Sequence, residues 1–170
     1  MNPFDPYGTH QPILLAACRQ TTGPIIELGC GDWSTQLLHD NFLDRYLISV
    51  ETNTEWMAKY VHLRSPKHVF MLLKDFSYYI SPVARAGVLF IDFDPGRQRR
   101  AILMQEASRA DMLICHDTET TCHPDYAWGE SFNAFKYQYT DLVSGRWAKD
   151  GGMYTRGTTV VSDHIPFVKP

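Results

Sequence analysis

Six short, continuously apolar runs punctuate this chain, and each ends at or beside glycine or an acidic residue. "GPIIELG" opens the series from Gly23; "RYLISVET", "HVFMLLKD", "AGVLFIDFD" and "ADMLICHD" follow, and "GTTVVSD" closes it. They are rich in Ile, Val, Leu and Phe and mostly lack polar alternation. A strand reads this way when both of its faces are covered.

Helix-like segments separate the runs. "QPILLAACR" precedes the first, with Pro12 in its first turn, where a missing N–H costs nothing. "DWSTQLLHD" follows the first run, and "TEWMAKYVHLR" follows the second. In the latter, Thr54 is the expected N-cap, and Trp56, Met57, Tyr60 and Val61 share a face. "RQRRAILMQEASR" follows the fourth run. "SFNAFKYQYTDLV" has Phe132, Phe135, Tyr139 and Leu142 near helical spacing, which predicts one more helix before the last strand. Parts of 120–130 and 144–156 read as loop. The alternation predicts an α/β fold, a mostly parallel sheet with helices on both faces. A length of 170 residues with no repeat or linker fits a single domain over 1–170.

Composition narrows the function. The net charge of −3 gives no bulk attraction to nucleic acid or anionic membranes. No apolar run approaches the ~20 residues of a membrane span. The start, "MNPFDPYGTH", has no signal-peptide core, so a cytoplasmic location is expected. The four cysteines, Cys18, Cys30, Cys115 and Cys122, form no tight framework and are expected to be reduced thiols.

In sheets of this kind, ligands bind outside the carboxyl ends of the strands. Five consecutive runs carry polar groups there: Glu27 with Gly29, Cys30 and Gly31; Glu51; Asp75; Asp92 and Asp94; His116 and Asp117. Two glycines in G-x-G allow a tight turn and close approach of backbone to a ligand. Glu51, 24 residues past Glu27, stands where a carboxylate can accept both ribose hydroxyls. A dinucleotide fingerprint would need a third glycine, but that position is Ser34. Glu27 would face a pyrophosphate unfavourably yet could hold a cationic amino-acid moiety. These features favour S-adenosylmethionine over NAD.

The ordered set "IELGCGDWST", "LISVETN", "MLLKDF", "VLFIDFDPGR" and "LICHDTE" resembles the class I S-adenosylmethionine-dependent methyltransferases over residues 23 to 119, with "GTTVVSD" fitting the last strand. The resemblance implies a Rossmann-like, doubly wound, three-layer α/β/α fold. It implies that Glu27, Gly29, Cys30, Gly31 and Ser34 surround the methionine part. Glu51 and Thr52 would hold the ribose, and Asp75 and Phe76 would meet the adenine; simple core packing is the other reading of Phe76.

The reaction end is less specified. In metal-dependent relatives, carboxylates at the fourth and fifth strand ends hold a divalent cation that lowers the pKa of an acceptor hydroxyl. Asp92 and Asp117 occupy those ends and could hold Mg2+ or another divalent cation. Here, however, the fifth strand ends His-Asp-Thr-Glu, and Pro95 and Gly96 lie where a lysine base is usual. Without a metal, His116 is the natural general base, with Asp92 and Asp117 beside it; a rim histidine held by hydrogen bonds is the alternative. Arg97, in the basic cluster Gly96 to Arg100, could reach the rim acids, although cations at a helix start oppose its dipole. Tyr7, His10, Trp33, Tyr126 and Trp128 could cover the cofactor or line a pocket, or serve as anchors.

Two Cys-His pairs, Cys115–His116 and Cys122–His123, raise zinc. Adjacent strand residues point to opposite faces, so Cys115 reads as core and Cys122–His123 as loop. The expected activity is methyl transfer to a small-molecule hydroxyl, with no nucleic acid or membrane partner and with monomer or homo-oligomer both open. A non-catalytic nucleoside-binding module and an NAD-type oxidoreductase are the competing readings.

Overall fold

The computed structural model describes residues 6–119, 126–146 and 153–169. Its helices are α1 (Gln11–Gln20), α2 (Thr35–Asn41), α3 (Thr54–Ala58) and α4 (Arg99–Glu106). Its strands are β1 (Ile25–Leu28), β2 (Leu47–Glu51), β3 (His68–Leu72), β4 (Ala86–Ile91), β5 (Ala110–His116), β6 (Tyr137–Arg146) and β7 (Met153–Ser162). One sheet joins them in the order β3-β2-β1-β4-β5-β7-β6. The first five pair in parallel, and β7 runs antiparallel to both β5 and β6.

Strand alternation divides the apolar residues between two cores. Ile25, Leu47, Val88, Phe90, Met112, Ile114 and Val160 face one way, against Ile13, Leu14 and Ala17 of α1 and Leu38 of α2. Ile26, Leu28, Ile48, Val50, Leu89, Ile91, Leu113 and Cys115 face the other way, against Ile102 and Leu103 of α4, Phe76 and Trp128. Both sides are covered, which is why these strands have no polar alternation. Leu14 and Leu103 are fully buried; truncating either to alanine would cost about 2–5 kcal/mol. Among the described residues, no helix is long and apolar enough to cross a membrane.

Three expectations need correction. The segment expected as a helix before the last strand is a short 3-10 turn, Ser131–Ala134, followed by β6. Phe135 is buried but Leu142 is 61% exposed, so the helical stripe does not form a face. Tyr137, Tyr139, Thr140 and Val143 are aromatic or β-branched and pair along β7. The helix after β2 ends at Ala58, and a 3-10 turn at Val61–Leu63 leaves Val61 exposed. Its N-cap is Asn53 rather than Thr54, because the Asn53 side chain accepts from the Trp56 N–H at 3.0 Å. Finally, β3 is an edge strand with Val69 and Leu72 exposed, not a strand covered on both faces.

Candidate functional site

Strand order reverses between β1 and β4, and a cleft of about 700 Å³ opens at the carboxyl ends there. That lies within the roughly 300–1,000 Å³ of small-molecule sites. Gly29 makes the opening possible. Its φ is +92°, and a Cβ on it would stand 2.1 Å from the Asp92 carbonyl oxygen. Only glycine lets the chain leave β1 that close to the end of β4. Gly29, Cys30, Gly31 and Ser34 then form one wall.

Glu51 ends β2 and faces this loop. Its Oε2 accepts from the Cys30 N–H at 2.9 Å, and Oε1 accepts from the N–H groups of Thr52 at 2.7 Å and Asn53 at 2.9 Å. Three backbone donors fix the carboxylate before any ligand arrives. Thr52, Asn53 and Trp56 continue that side of the cleft, and the Trp56 indole N–H donates to the Cys30 carbonyl.

Glu27 does not line the cleft. Strand parity sends its side chain beneath α2, where it is fully buried. Oε1 accepts from the Thr35 hydroxyl at 3.1 Å and Oε2 from the Ser49 hydroxyl at 2.6 Å. Burial pushes its carboxyl up from 4.5 to about 7, against the pull of Ser34, Ser49 and Thr35. Thr35 also accepts from the Gly31 N–H at 2.8 Å, so Glu27 supports the glycine loop from below.

Asp75 and Phe76 are also outside the lining. The Asp75 Oδ1 accepts from the Ser77 N–H at 2.8 Å and from the Gln98 amide at 3.1 Å. Phe76 is core and stacks on Phe93 with ring centroids 3.7 Å apart. Phe93 is the ring that reaches the cleft.

At the other end stand Asp92, His116 and Asp117. Arg99, only 3% exposed, lies among them. Its Nη2 is 3.1 Å from Asp92 Oδ1, its Nη1 is 3.3 Å from Asp117 Oδ2, and its Nε donates to the Phe93 carbonyl at 2.7 Å. Its guanidinium also stacks over Tyr126 at 4.3 Å. The His116 Nδ1 lies 3.2 Å from Asp92 Oδ2, and its Nε2 lies 3.3 Å from the Thr9 hydroxyl. Burial would raise the Asp92 pKa, but His116 and Arg99 outweigh it and hold the carboxyl well below the usual range. Burial would lower His116, but Asp92 and then Asp117 outweigh it and raise it. Asp117 leaves β5 in the left-handed region, φ +57°, a conformation that non-glycine residues adopt rarely and that clusters at functional sites.

The N-terminal stretch closes over this end. Tyr7 lines the cleft, and Trp33 is held by Gln11, whose side-chain amide donates to the Trp33 carbonyl at 2.7 Å. His10 is 1% exposed and packs between Phe90 and His116, at 4.8 Å and 4.6 Å between ring centroids. Burial, then His116, pushes it down to about 3, against weaker opposite pulls from Asp92 and the Trp33 backbone. Trp128 is core: its indole N–H donates to the Asp117 carbonyl at 3.1 Å.

No protein-family profile and no curated protein sequence matches the chain. Solved structures do match in shape. The N-methyltransferase NodS from Bradyrhizobium japonicum is 9% identical, with 94% of this chain and 99% of that one covered and a TM-score of 0.64. The O-methyltransferase from Bacillus cereus, solved in complex with SAH, is 13% identical, with 92% and 80% covered and a TM-score of 0.61. The O-methyltransferase TomG from Streptomyces achromogenes, solved in complex with SAM, is 14% identical, with 92% and 80% covered and a TM-score of 0.59. The fold is that of the class I methyltransferases.

On this class I fold, the glycine loop, Glu51, Asp92, His116 and Asp117 meet in one cleft, as their strand-end positions predicted. Two residues contribute more than the sequence indicated. The arginine that reaches the rim acids is Arg99, whereas Arg97 is exposed. A cluster of cations at a helix start, where the dipole disfavours them, was the signal that one of them serves something else. His10 is the second, and an isolated histidine before a helix carries no such signal. The expected Mg2+ site between Asp92 and Asp117 does not fit, because the Arg99 guanidinium already bridges the two carboxylates. Cys122, His123 and Asp125 lie outside the described residues.

Proposed function

We propose that this cleft binds S-adenosylmethionine and that the protein transfers its methyl group to a hydroxyl of a small molecule. One observation carries this reading. At the strand-order reversal of a class I fold, a single cleft runs from the fixed Glu51 carboxylate to the acid–imidazole rim of Asp92, His116 and Asp117.

Bound there, S-adenosylmethionine supplies an electrophilic methyl on a sulfonium and leaves as a neutral thioether. Glu51 accepts from the ribose hydroxyls, and the glycine wall keeps the backbone close to the amino-acid moiety. Phe93 and Trp56 offer apolar faces for the base. The acceptor hydroxyl sits at the rim. As its oxygen bonds to the methyl carbon, its proton passes to Asp117 Oδ1. Among the described residues that oxygen has long approaches, 3.7 Å to His116 and 3.9 Å to Arg156, whereas Arg99 holds Oδ2. Positioning the hydroxyl and removing its proton are the main services such a transfer needs. Two structural neighbours are O-methyltransferases, which supports a hydroxyl acceptor.

Calorimetry with S-adenosylmethionine and its demethylated product tests the binding. Transfer of a labelled methyl to a panel of small phenols and alcohols tests the chemistry. Failure to bind either cofactor form would remove the reading; binding with no transfer to any acceptor would favour a non-catalytic module. Asp117→Asn should cut turnover by about 100-fold or more and leave cofactor affinity unchanged.

A further inference from the structure

We propose that His10, Asp92 and His116 form a binding site for a divalent transition ion of the Zn2+ or Fe2+ kind at the reaction end of the cleft. The site differs from the carboxylate pair that the strand ends suggested. It uses two imidazoles and one carboxylate, a set that suits borderline transition metals better than Mg2+.

His10 is the decisive observation. A buried imidazole normally finds hydrogen-bond partners, because an unpaired one costs free energy. Neither ring nitrogen of His10 makes a well-formed hydrogen bond with any described residue, the nearby Trp33 backbone exerting only a weak pull, although the residue is only 1% exposed. Its ring stands edge-on to His116, and a ligand atom of each of His10, Asp92 and His116 lies within 4.8 Å of the other two.

The other two ligands are already oriented. Metal–ligand bonds of about 2.0–2.2 Å hold neighbouring donor atoms roughly 3.0–3.4 Å apart. Asp92 Oδ2 and His116 Nδ1 are 3.2 Å apart, so an ion can replace their hydrogen bond with little movement. A shift of the His10 ring by up to roughly 1.5 Å completes the set. His116 and Asp92 each have an outer partner that leaves the inner atom available. Thr9 meets His116 at Nε2, and Arg99 holds Asp92 at Oδ1. Such outer contacts fix the tautomer and ring direction of metal-binding histidines. Three protein ligands leave coordination positions for water or an acceptor oxygen. If held there, such an ion would lower the pKa of an acceptor hydroxyl, and Asp117, 3.7 Å from His116, would be the nearby carboxylate able to accept a proton. Use of the ion in turnover rests on the methyl-transfer reading; its binding does not.

The test uses the full chain stripped with chelator and titrated with Zn2+ and, for its visible spectrum, with Co2+. One ion per chain is expected, with the absorption of a nitrogen- and oxygen-ligated site. His10→Ala and His116→Ala should each weaken binding at least about 100-fold. His10→Gln keeps much of the ring's volume and should show the same loss if His10→Ala folds poorly. His68→Ala, at the other close histidine pair, 3.0 Å from His39, should change nothing. No stoichiometric ion in the parent chain would overturn the proposal, as would binding that survives His10→Gln or is lost only with His68→Ala. A parallel titration with S-adenosylmethionine separates the readings: ion without cofactor removes the methyl-transfer reading alone, and cofactor without ion removes this one alone.

Discussion

Gly29 and Asp92 touch through their backbones at the ends of β1 and β4, so closely that a methyl group on Gly29 would stand 2.1 Å from the Asp92 carbonyl. Gly29→Ala therefore meets both a clash and a positive φ. We expect a loss of about 3 kcal/mol or more, combining strain with overpacking. Urea unfolding measures it. A loss under ~1 kcal/mol would mean that the strand ends can part freely.

Glu51 is held by three backbone N–H groups, so its carboxylate has little freedom left to lose when a ligand binds. Glu51→Ala should weaken S-adenosylmethionine by at least about tenfold, the worth of one charge-assisted hydrogen bond. Calorimetry reads this directly. An unchanged affinity removes Glu51 as the ribose carboxylate. Transition-ion affinity should be the same in this variant, since Glu51 is at the far end of the cleft.

Arg99 bridges Asp92 and Asp117 from a buried position. Arg99→Met leaves two carboxylates without their cation and should cost about 3–5 kcal/mol. Arg99→Lys should recover only part, because one ammonium cannot span both acids as the planar fork does. Arg97→Ala, on the exposed side of the same cluster, should lie within ~0.5 kcal/mol of the parent. Equal losses in Arg97→Ala and Arg99→Met would contradict this division.

Glu27 gives the fold a pH signature. Unfolded, its carboxyl ionises at its usual 4.5; folded, burial raises it to about 7. Between these values the folded chain keeps a proton that the unfolded chain has released. Its contribution is therefore full below about pH 4.5, declines as pH rises, and levels off above 7. Glu27→Gln is neutral throughout and should lack this decline. The gap between the two profiles should change by about 3 kcal/mol across the window. Parallel profiles would show that Glu27 titrates normally.

The sheet was legible because its central strands are apolar on both sides, and short unalternated apolar runs between helix-like segments are what such strands require. The rim was legible for the same reason: once Leu28, Glu51, Ile91 and His116 end their strands, their neighbours must gather at one edge. Parity decided what could not be read. Glu27 stands two residues before Gly29, yet strand parity turns its side chain beneath α2 instead of into the cleft. Phe76 and Phe93 are similar residues in similar places, and only their stacking order shows which is underneath. β6 was misread because four aromatic and aliphatic residues happened to fall near helical spacing, while pairing along β7 decides the segment.

The antiparallel strand β7 comes after β6 in the chain but lies between β5 and β6 in the sheet. Its residues Thr158 to Val161 seal the side of β5 that ends in His116. During synthesis, then, the strand carrying the reaction end emerges with one flank of backbone donors and acceptors bare. It stays so until more than forty further residues, numbers 117 to 157, have been made. A ribosome-bound chain halted before that point would expose a sticky edge of apolar strand beside an unfinished cleft. Completion of the site and protection from aggregation are thus the same late event.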